Sequence, residues 1–432
     1  PMAFALLARD PSPQALLDAA NLGGDTDTIG AIAGAILGAA LGVEVLPTDS
    51  LTMIEEVSHL GLSSVAGDLL ELRDQALVGR QEESPTSASP AADPDADAST
   101  EEPAPASSPT SPAGRVVLMG QILVDRVLQG ARPIHGGGSE WARDGGTHVG
   151  GGFNALVAAR RMGAEAISLS PIGTGPHASM IEAALAREGI VDAGPRVDGV
   201  DNGFCVAMIG HDAERTFIST KGAETMTPKT AWADFVRTMS PGDVLYIDGY
   251  LMDHPANREA AEAALRVLPE GVRVLLDVSP VIGIPESLPT HHAIISMNSV
   301  EARAIAKQSR LDGYLPFDSL SCRLAQTLGR DTLIRLGASG ACFARSASPD
   351  SETSAAHIPT PTIDAVDTNG AGDAHTGVLA ASLALGIPLE RGLVLANCAG
   401  ALASTVPGPA SCPTREDIEA AADALAADTA AE

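Results

Sequence analysis

The sequence predicts an α/β fold with a largely parallel, buried sheet over its longer part, joined to an all-α piece at its start. Three observations point there. Short apolar runs recur between residues 116 and 337, mostly separated by alanine-rich stretches with helical spacing. The run from 81 to 114 holds seven acidic residues, seven prolines and no basic residue, so it cannot bury an apolar core and divides the chain in two. Aromatic residues are only 3% of the chain, so the core rests on Ala, Val, Leu and Ile, which suit helices packed closely on a sheet.

Residues 1–80 come first and are expected to be helical throughout. Apolar positions at Phe4, Leu6, Leu7, Leu16 and Leu17 flank a Pro11/Pro13 start, and Gly30, Gly34, Gly38 and Gly42 recur every four residues along one smooth helix face. So small-sided a central helix makes a poor independent core, which predicts either docking onto something else or membership of a larger helical domain. Residues 81–114 are expected to form a solvated, extended linker. Residues 115–432 then supply the strand candidates VVLMG (116–120), EAISLSPIG (165–173), CVAMI (205–209), VLYIDG (244–249), VRVLLDV (272–278), AIISMN (293–298) and TLIRLG (332–337). Nearly continuous hydrophobicity in several of these runs fits strands covered on both faces. The more polar, alternating stretch from about 197 to 220, with residues 126–148, is expected to form a small antiparallel flap outside the main sheet.

Charge and cysteine content exclude several function classes. Twenty-seven basic against fifty-five acidic residues give −28, and the linker accounts for only seven of those charges. A nucleic-acid or anionic-membrane surface needs a basic footprint and is not expected. Five cysteines, at 205, 322, 342, 398 and 412, form no CxxC pair, which gives neither a disulfide framework nor a zinc site and suggests a reducing cytoplasm. The most apolar stretch, Ile29 to Val43, is shorter than a membrane span and rich in glycine and alanine, as in a buried helix. The opening Pro-Met-Ala-Phe lacks the pattern of a signal peptide, so a processed or truncated N-terminus is the expectation.

The strongest chemical signal is DTNGAGDAHTG, Asp367 to Gly377. Glycines at 370 and 372 let successive amides turn inward, and the Ala- and Leu-rich residues that follow begin a helix whose positive end faces an anion. Asp373 sits at that start, where a carboxylate can take the proton of an attacking hydroxyl while the amides of Gly370, Ala371 and Gly372 stabilise a transferred group. The same residues also suit a tight turn followed by an Asp cap. The chain has no GxxxxGK[ST] loop and no HRD/DFG set.

With its companions, this segment resembles the PfkB or ribokinase family of sugar and nucleoside kinases over nearly all of residues 115–432. The resemblance implies a ribokinase-like three-layer sandwich with a small β lid. It implies a reaction in which ATP phosphorylates a sugar or nucleoside hydroxyl, with Asp373 as base, Gly370 to Gly372 as anion hole and Asp367 near a monovalent-cation loop, the cation being potassium in some members. GQILVD (120–125) resembles the segment whose Asp holds sugar hydroxyls, making Asp125 a substrate residue. GGGFN (150–154) resembles the second signature, in which Gly151 and Gly152 admit the substrate and Asn154 bonds it. NSVE (298–301) looks like the family's Asn-x-x-Glu element, placing Asn298 and Glu301 by the water shell of Mg2+-ATP. RLGASG (335–340) resembles the phosphate-carrying strand and loop, with Arg335, Gly337 and Gly340 as nucleotide residues, and Asn397 resembles the residue beside the adenine. GGGFN departs from the ribokinase-like Gly-Gly-Lys-Gly, which leaves the substrate open among ribose, fructose, ketodeoxygluconate, phosphorylated hexoses and nucleosides. A homodimer through the lid is a further implication.

NLGGDTDTIGAIAGAILGA (21–39) resembles the last metal-binding segment of ADP-ribosylglycohydrolases, an all-α family that hydrolyses ribosyl bonds at a two-magnesium site. That likeness makes Asp25, Asp27 and Thr28 magnesium ligands and residues 1–80 the C-terminal part of such a domain. The acidic ligands of its earlier helices are absent from this chain, so hydrolysis by this chain alone is not expected. The fusion points to a ribose-type acceptor for the kinase. The alternatives are glycohydrolase activity in a longer native protein and a non-catalytic nucleotide or sugar sensor. A sensor needs no base, which weighs against it when Asp373 and the glycine turn are both present.

Overall fold

The computed structural model describes residues 7, 8, 12, 14, 15, 18 and 33–38, then 114–130, 141–209, 215–346, 354–406, 408 and 410–431. The chain divides into two units, Pro1–Pro105 and Ala106–Glu432. In the first, the described residues other than Ser12 are helical, and Ala15, Ala33 and Leu37 are buried. Asp25, Asp27 and Thr28 lie outside the described residues, as does the linker up to 113.

The second unit is built on a nine-stranded sheet. Numbered along the chain, its strands are β1 (Arg115–Met119), β4 (Glu165–Ser168), β5 (Val191–Asp192), β8 (Val244–Asp248), β9 (Arg273–Asp277), β10 (Ala293–Asn298), β11 (Asp331–Arg335), β12 (Ala341–Ala344) and β13 (Ala355–Ile358). Their spatial order is β13-β12-β11-β10-β9-β8-β1-β4-β5. Pairing is parallel from β5 to β11 and antiparallel through β12 and β13 at the far edge.

Successive side chains of a strand point to opposite faces, and this alternation makes two cores. Val116, Leu118, Tyr246, Leu275, Ile294 and Leu333 face α1 (Gly152–Arg161), α2 (Pro176–Arg187), α7 (Ala371–Ala384), α8 (Leu389–Ala403) and α9 (Arg415–Ala431). Val117, Met119, Leu245, Ile247, Leu276, Ile295 and Ile334 face α3 (Ala231–Val236), α4 (Pro255–Leu265), α5 (Ser299–Gln308) and α6 (Phe317–Leu328). The result is the expected three-layer sandwich. Small residues allow close packing between two helices of one layer: at Gly377 of α7 a Cβ would stand 2.1 Å from the Ala155 carbonyl oxygen of α1.

A four-stranded lid sheet, ordered β3-β2-β6-β7, comprises β2 (Ile122–Gln129), β3 (Arg143–Gly151), β6 (Phe204–Ile209) and β7 (Arg215–Ser219). The stretches expected to form a flap do so, and CVAMI belongs to it rather than to the main sheet. The lid is mixed rather than antiparallel, because β2 and β6 pair in parallel. Both strands set out from one edge of the core: Ile122 N–H donates to Ser170 Oγ at 2.9 Å, and the Asn202 amide, just before β6, donates to the Ile122 and Pro171 carbonyls at 3.4 and 3.1 Å. Strands β5, β12 and β13 were not anticipated; each has at most four residues, too few for alternation to register.

Candidate active site

The first turn of α7 is shaped by the glycines before it. Gly370 caps the helix at φ 77°, the left-handed region that glycine enters without a Cβ clash. Asp373 falls in that first turn, where amides have no intrahelical acceptor and the helix dipole is positive. Asp367 braces the approach: Oδ1 accepts from Asn369 N–H at 2.9 Å, and Oδ2 accepts from Gly408 N–H at 3.1 Å. The Ser404 carbonyl takes the N–H groups of Val366 and Asp367 at 2.8 and 3.0 Å, stitching this turn to the loop after α8.

The lid and α1 supply the opposite wall. Asp125 on β2 lies across from His148 on β3 and Cys205 on β6. Gly150 makes room for it, since a Cβ there would stand 1.9 Å from Asp125 Oδ2. At the end of β3, Gly151 turns into α1 with φ 66°, and Gly152 opens the helix beside Leu118. Asn154 follows, buried at 5% exposure, and its Nδ2 donates to Asp373 Oδ2 at 3.0 Å. Its Oδ1 is buried without a partner among the described residues. GGGFN and DTNGAGD, 219 residues apart between Asn154 and Asp373, thus meet through one hydrogen bond.

Carboxylates gather here at unusual protonation energies. Burial raises Asp373 to about 6; the Asn154 bond and Arg335 oppose the rise, while Asp277 and Asp125 add to it. Burial also lifts Asp125 to about 6, partly offset by His148. Asp248 reaches about 7 through burial, despite accepting from Tyr250 N–H at 2.9 Å and Gln121 N–H at 3.3 Å, with Asp373 and Asp277 contributing to the rise. Asp248 and Asp277 were missed in the sequence. Each is the last residue of an apolar strand, and the two are register partners across β8 and β9. The available signal was the acid closing VLYID and VLLD.

The candidates for the nucleotide side are more dispersed. Arg335, the last residue of β11, donates through both Nη atoms to Asp277. Asn298 and Glu301 form a capping box on α5: Asn298 Oδ1 accepts from Val300 and Glu301 N–H at 2.9 Å each, and Glu301 Oε2 accepts from Asn298 N–H at 2.6 Å. Glu301 also lies 3.8 Å from Arg335. Gly337 opens a single 3-10 turn at φ 59° and Gly340 closes it at φ 76°. Asn397 of α8 spends its Nδ2 on the Ile358 and Pro359 carbonyls at 2.9 and 3.0 Å. Asp125, Asn154, Asp277, Glu301, Arg335 and Asp373 therefore form one electrostatic neighbourhood, while Asn397 tethers the end of β13. The described residues contain no group of three His, Cys, Asp or Glu side chains that could hold a metal ion. They also contain no helix long and apolar enough to cross a membrane.

Comparison with known proteins gives two family matches. Residues 114–416 match the pfkB family carbohydrate kinase model, and residues 1–83 match the ADP-ribosylglycohydrolase model. The uncharacterized sugar kinase YegV of Escherichia coli is 30% identical over 310 residues, covering 70% of this chain and 92% of that protein. Ribokinase of Arabidopsis thaliana is 26% identical over 328 residues, 73% of this chain and 82% of that one. Among solved structures, ribokinase from Thermotoga maritima superposes with a TM-score of 0.60 at 20% identity, covering 71% of this chain and 98% of that one.

Proposed function

Because the chain belongs, through residues 114–416, to the pfkB family of carbohydrate kinases, we propose that it phosphorylates a ribose-type sugar or nucleoside with ATP, using Asp373 as the general base. The observation that carries this reading is the Asn154–Asp373 bond with Asn154 Oδ1 left open. Asn154 fixes the carboxylate with one end of its amide and offers the other to an acceptor hydroxyl, while Asp125 accepts further hydroxyls from the lid side. Asp373 takes the proton as the hydroxyl oxygen attacks the γ-phosphorus and the bond to ADP breaks. The amides of Gly370 and Gly372 are the ones offered to the transferred charge, since the Ala371 N–H already donates to the Thr368 carbonyl at 3.3 Å.

The residues fit a magnesium ion carried mainly by nucleotide phosphates and water, with Glu301 as an outer carboxylate, and do not fit a full protein cage. When bound, that ion neutralises charge on the phosphates. The stitch between Asp367 and Ser404–Gly408 is our candidate for a potassium-sensitive element. We further assign residues 1–80 to the C-terminal part of an all-α glycohydrolase domain with Asp25, Asp27 and Thr28 as magnesium ligands, residues 81–114 to a linker and residues 115–432 to the kinase, in a cytoplasmic protein for which a homodimer is one candidate assembly. The match over residues 1–83 supports a ribosyl acceptor, since such a hydrolase liberates ribosyl compounds.

The test is ADP production from Mg-ATP across ribose, fructose, ketodeoxygluconate, adenosine, inosine, uridine and pseudouridine, with and without potassium. Turnover of a ribosyl compound is expected. Turnover confined to fructose or ketodeoxygluconate would overturn the ribose-type assignment.

A further inference from the structure

Arg335 is bound more tightly than a nucleotide-facing arginine needs to be. Its side chain is 14% exposed. Nη1 donates to Asp277 Oδ2 at 2.6 Å, Ser296 Oγ at 2.9 Å and Thr376 Oγ1 at 3.1 Å, and Nη2 donates to Asp277 Oδ1 at 3.1 Å. The Thr376 hydroxyl in turn donates to Asp277 Oδ2 at 3.0 Å. Asp277, Ser296 and Arg335 lie on β9, β10 and β11, whereas Thr376 lies on α7 three residues after Asp373. Three residues along a helix bring side chains onto one face, so the clamp grips the turn that carries the candidate base.

Two further observations give the clamp a direction. A Cβ placed on Gly372 would meet nothing nearer than Arg335 Nη2, at 4.0 Å, so the glycine turn and the guanidinium face each other across otherwise open space. Five buried or half-buried carboxylates converge here, Asp125, Asp248, Asp277, Glu301 and Asp373, and Arg335 is the one guanidinium or ammonium group paired with any of them among the described residues. Stability alone does not call for such a group, because a buried ion pair seldom outperforms apolar packing of the same volume.

We propose that Arg335, clamped by Asp277, is a positioning residue for phosphoryl transfer: through Thr376 it fixes the first turn of α7, and it sets a permanent positive charge beside the Gly370–Gly372 turn. The inference rests on Asp373 being the base. The charge also opposes protonation of that base. The groups acting on Asp373 are Asp125 from the lid, Asn154 from α1, Tyr246 and Asp248 from β8, Tyr250 just beyond it, Asp277 from β9 and Arg335 from β11. Of these, Arg335 alone carries a positive charge.

The test uses the full chain, and its titration arm needs no known acceptor. With 13C-labelled aspartate carboxyls, the Asp373 signal is identified by its loss in Asp373→Asn and titrated in the wild type, Arg335→Met, Arg335→Lys and Thr376→Val. Arg335→Met should raise the Asp373 midpoint by about one pH unit. Arg335→Lys should hold it near the wild-type value, and Thr376→Val should leave it unmoved. With the best acceptor of the panel, kcat should fall roughly 100-fold in Arg335→Met from loss of alignment, and less in Arg335→Lys, which keeps charge but not the fork. ADP affinity by calorimetry should stay within about three-fold, since the guanidinium is already engaged by protein oxygens. An unmoved Asp373 midpoint in Arg335→Met would overturn the inference, as would lost ADP affinity with kcat retained, which marks a nucleotide ligand. If Arg335→Met does not fold, wild-type kcat in Arg335→Lys overturns the clamp and a reduced kcat at an unchanged midpoint supports it. Wild-type turnover by Asp373→Asn would instead refute the base assignment, whatever Arg335 does.

Discussion

Burial that prepares the Asp373 carboxyl for proton transfer also strains the fold. A folded-state value near 6, above the ordinary 3.8, means the native protein holds that proton more tightly than the unfolded chain does. The stabilising contribution is complete below the unfolded value and is lost as pH rises through about 6; Asp125 and Asp248 follow the same sign, toward about 6 and 7. At pH 8 the ionised Asp373 costs about 3 kcal/mol. Asp373→Asn should therefore raise Tm by several degrees at pH 8 and by little at pH 4.5, which thermal denaturation at the two pH values measures; an equal gain at both would rule out charge burial as the cause. Gly150→Ala tests the lid at the same scale. Its methyl would displace the Asp125 carboxylate, so KM for the acceptor should rise at least ten-fold with little change in KM for ATP in steady-state kinetics. Asp125, Asn154 and Asp373 were legible because each ends or follows a glycine-marked motif. Asp248 and Asp277 were not, because a lone acid after an apolar run looks the same at any strand end until the register sets two of them side by side.

At the scale of elements, the sequence conveyed the buried parallel strands better than the edges. The five runs VVLMG, VLYIDG, VRVLLDV, AIISMN and TLIRLG correspond to β1 and β8 to β11, the centre of the sheet, where two-sided burial demands continuous apolar side chains. ACFA and AAHI, at β12 and β13, are short edge strands whose pairing depends on a reversal that no local pattern encodes. Lid direction was equally hidden, since parallel β2 and β6 follow from where both leave the core. Close packing of α7 on α1 is more predictable, because GAGDAHTG and the alanines of α1 leave little side-chain volume between the two backbones. Gly377→Ala should cost about 1–3 kcal/mol by denaturant titration, through contact with the Ala155 carbonyl and the Ala158 methyl. A neutral result would mean that the helices can separate without penalty.

For the whole molecule, both large hydrophobic clusters among the described residues run from 116 to 422 and give the second unit a core of its own. Removal of residues 1–80 should leave kcat and the acceptor preference within about two-fold, as read by the ADP-production assay. A loss of activity would give the glycohydrolase-like segment a part in the kinase itself. Under the proposed function, Asp373 is the base of a working kinase. The direct measurement is ADP production from Mg-ATP across the acceptor panel by the wild type and Asp373→Asn, with ADP affinity measured on both. The prediction is acceptor-dependent turnover in the wild type that falls at least 1,000-fold in the variant, while ADP binding stays within about three-fold. Undiminished turnover in Asp373→Asn, or ADP binding without acceptor-dependent turnover in the wild type, would contradict it.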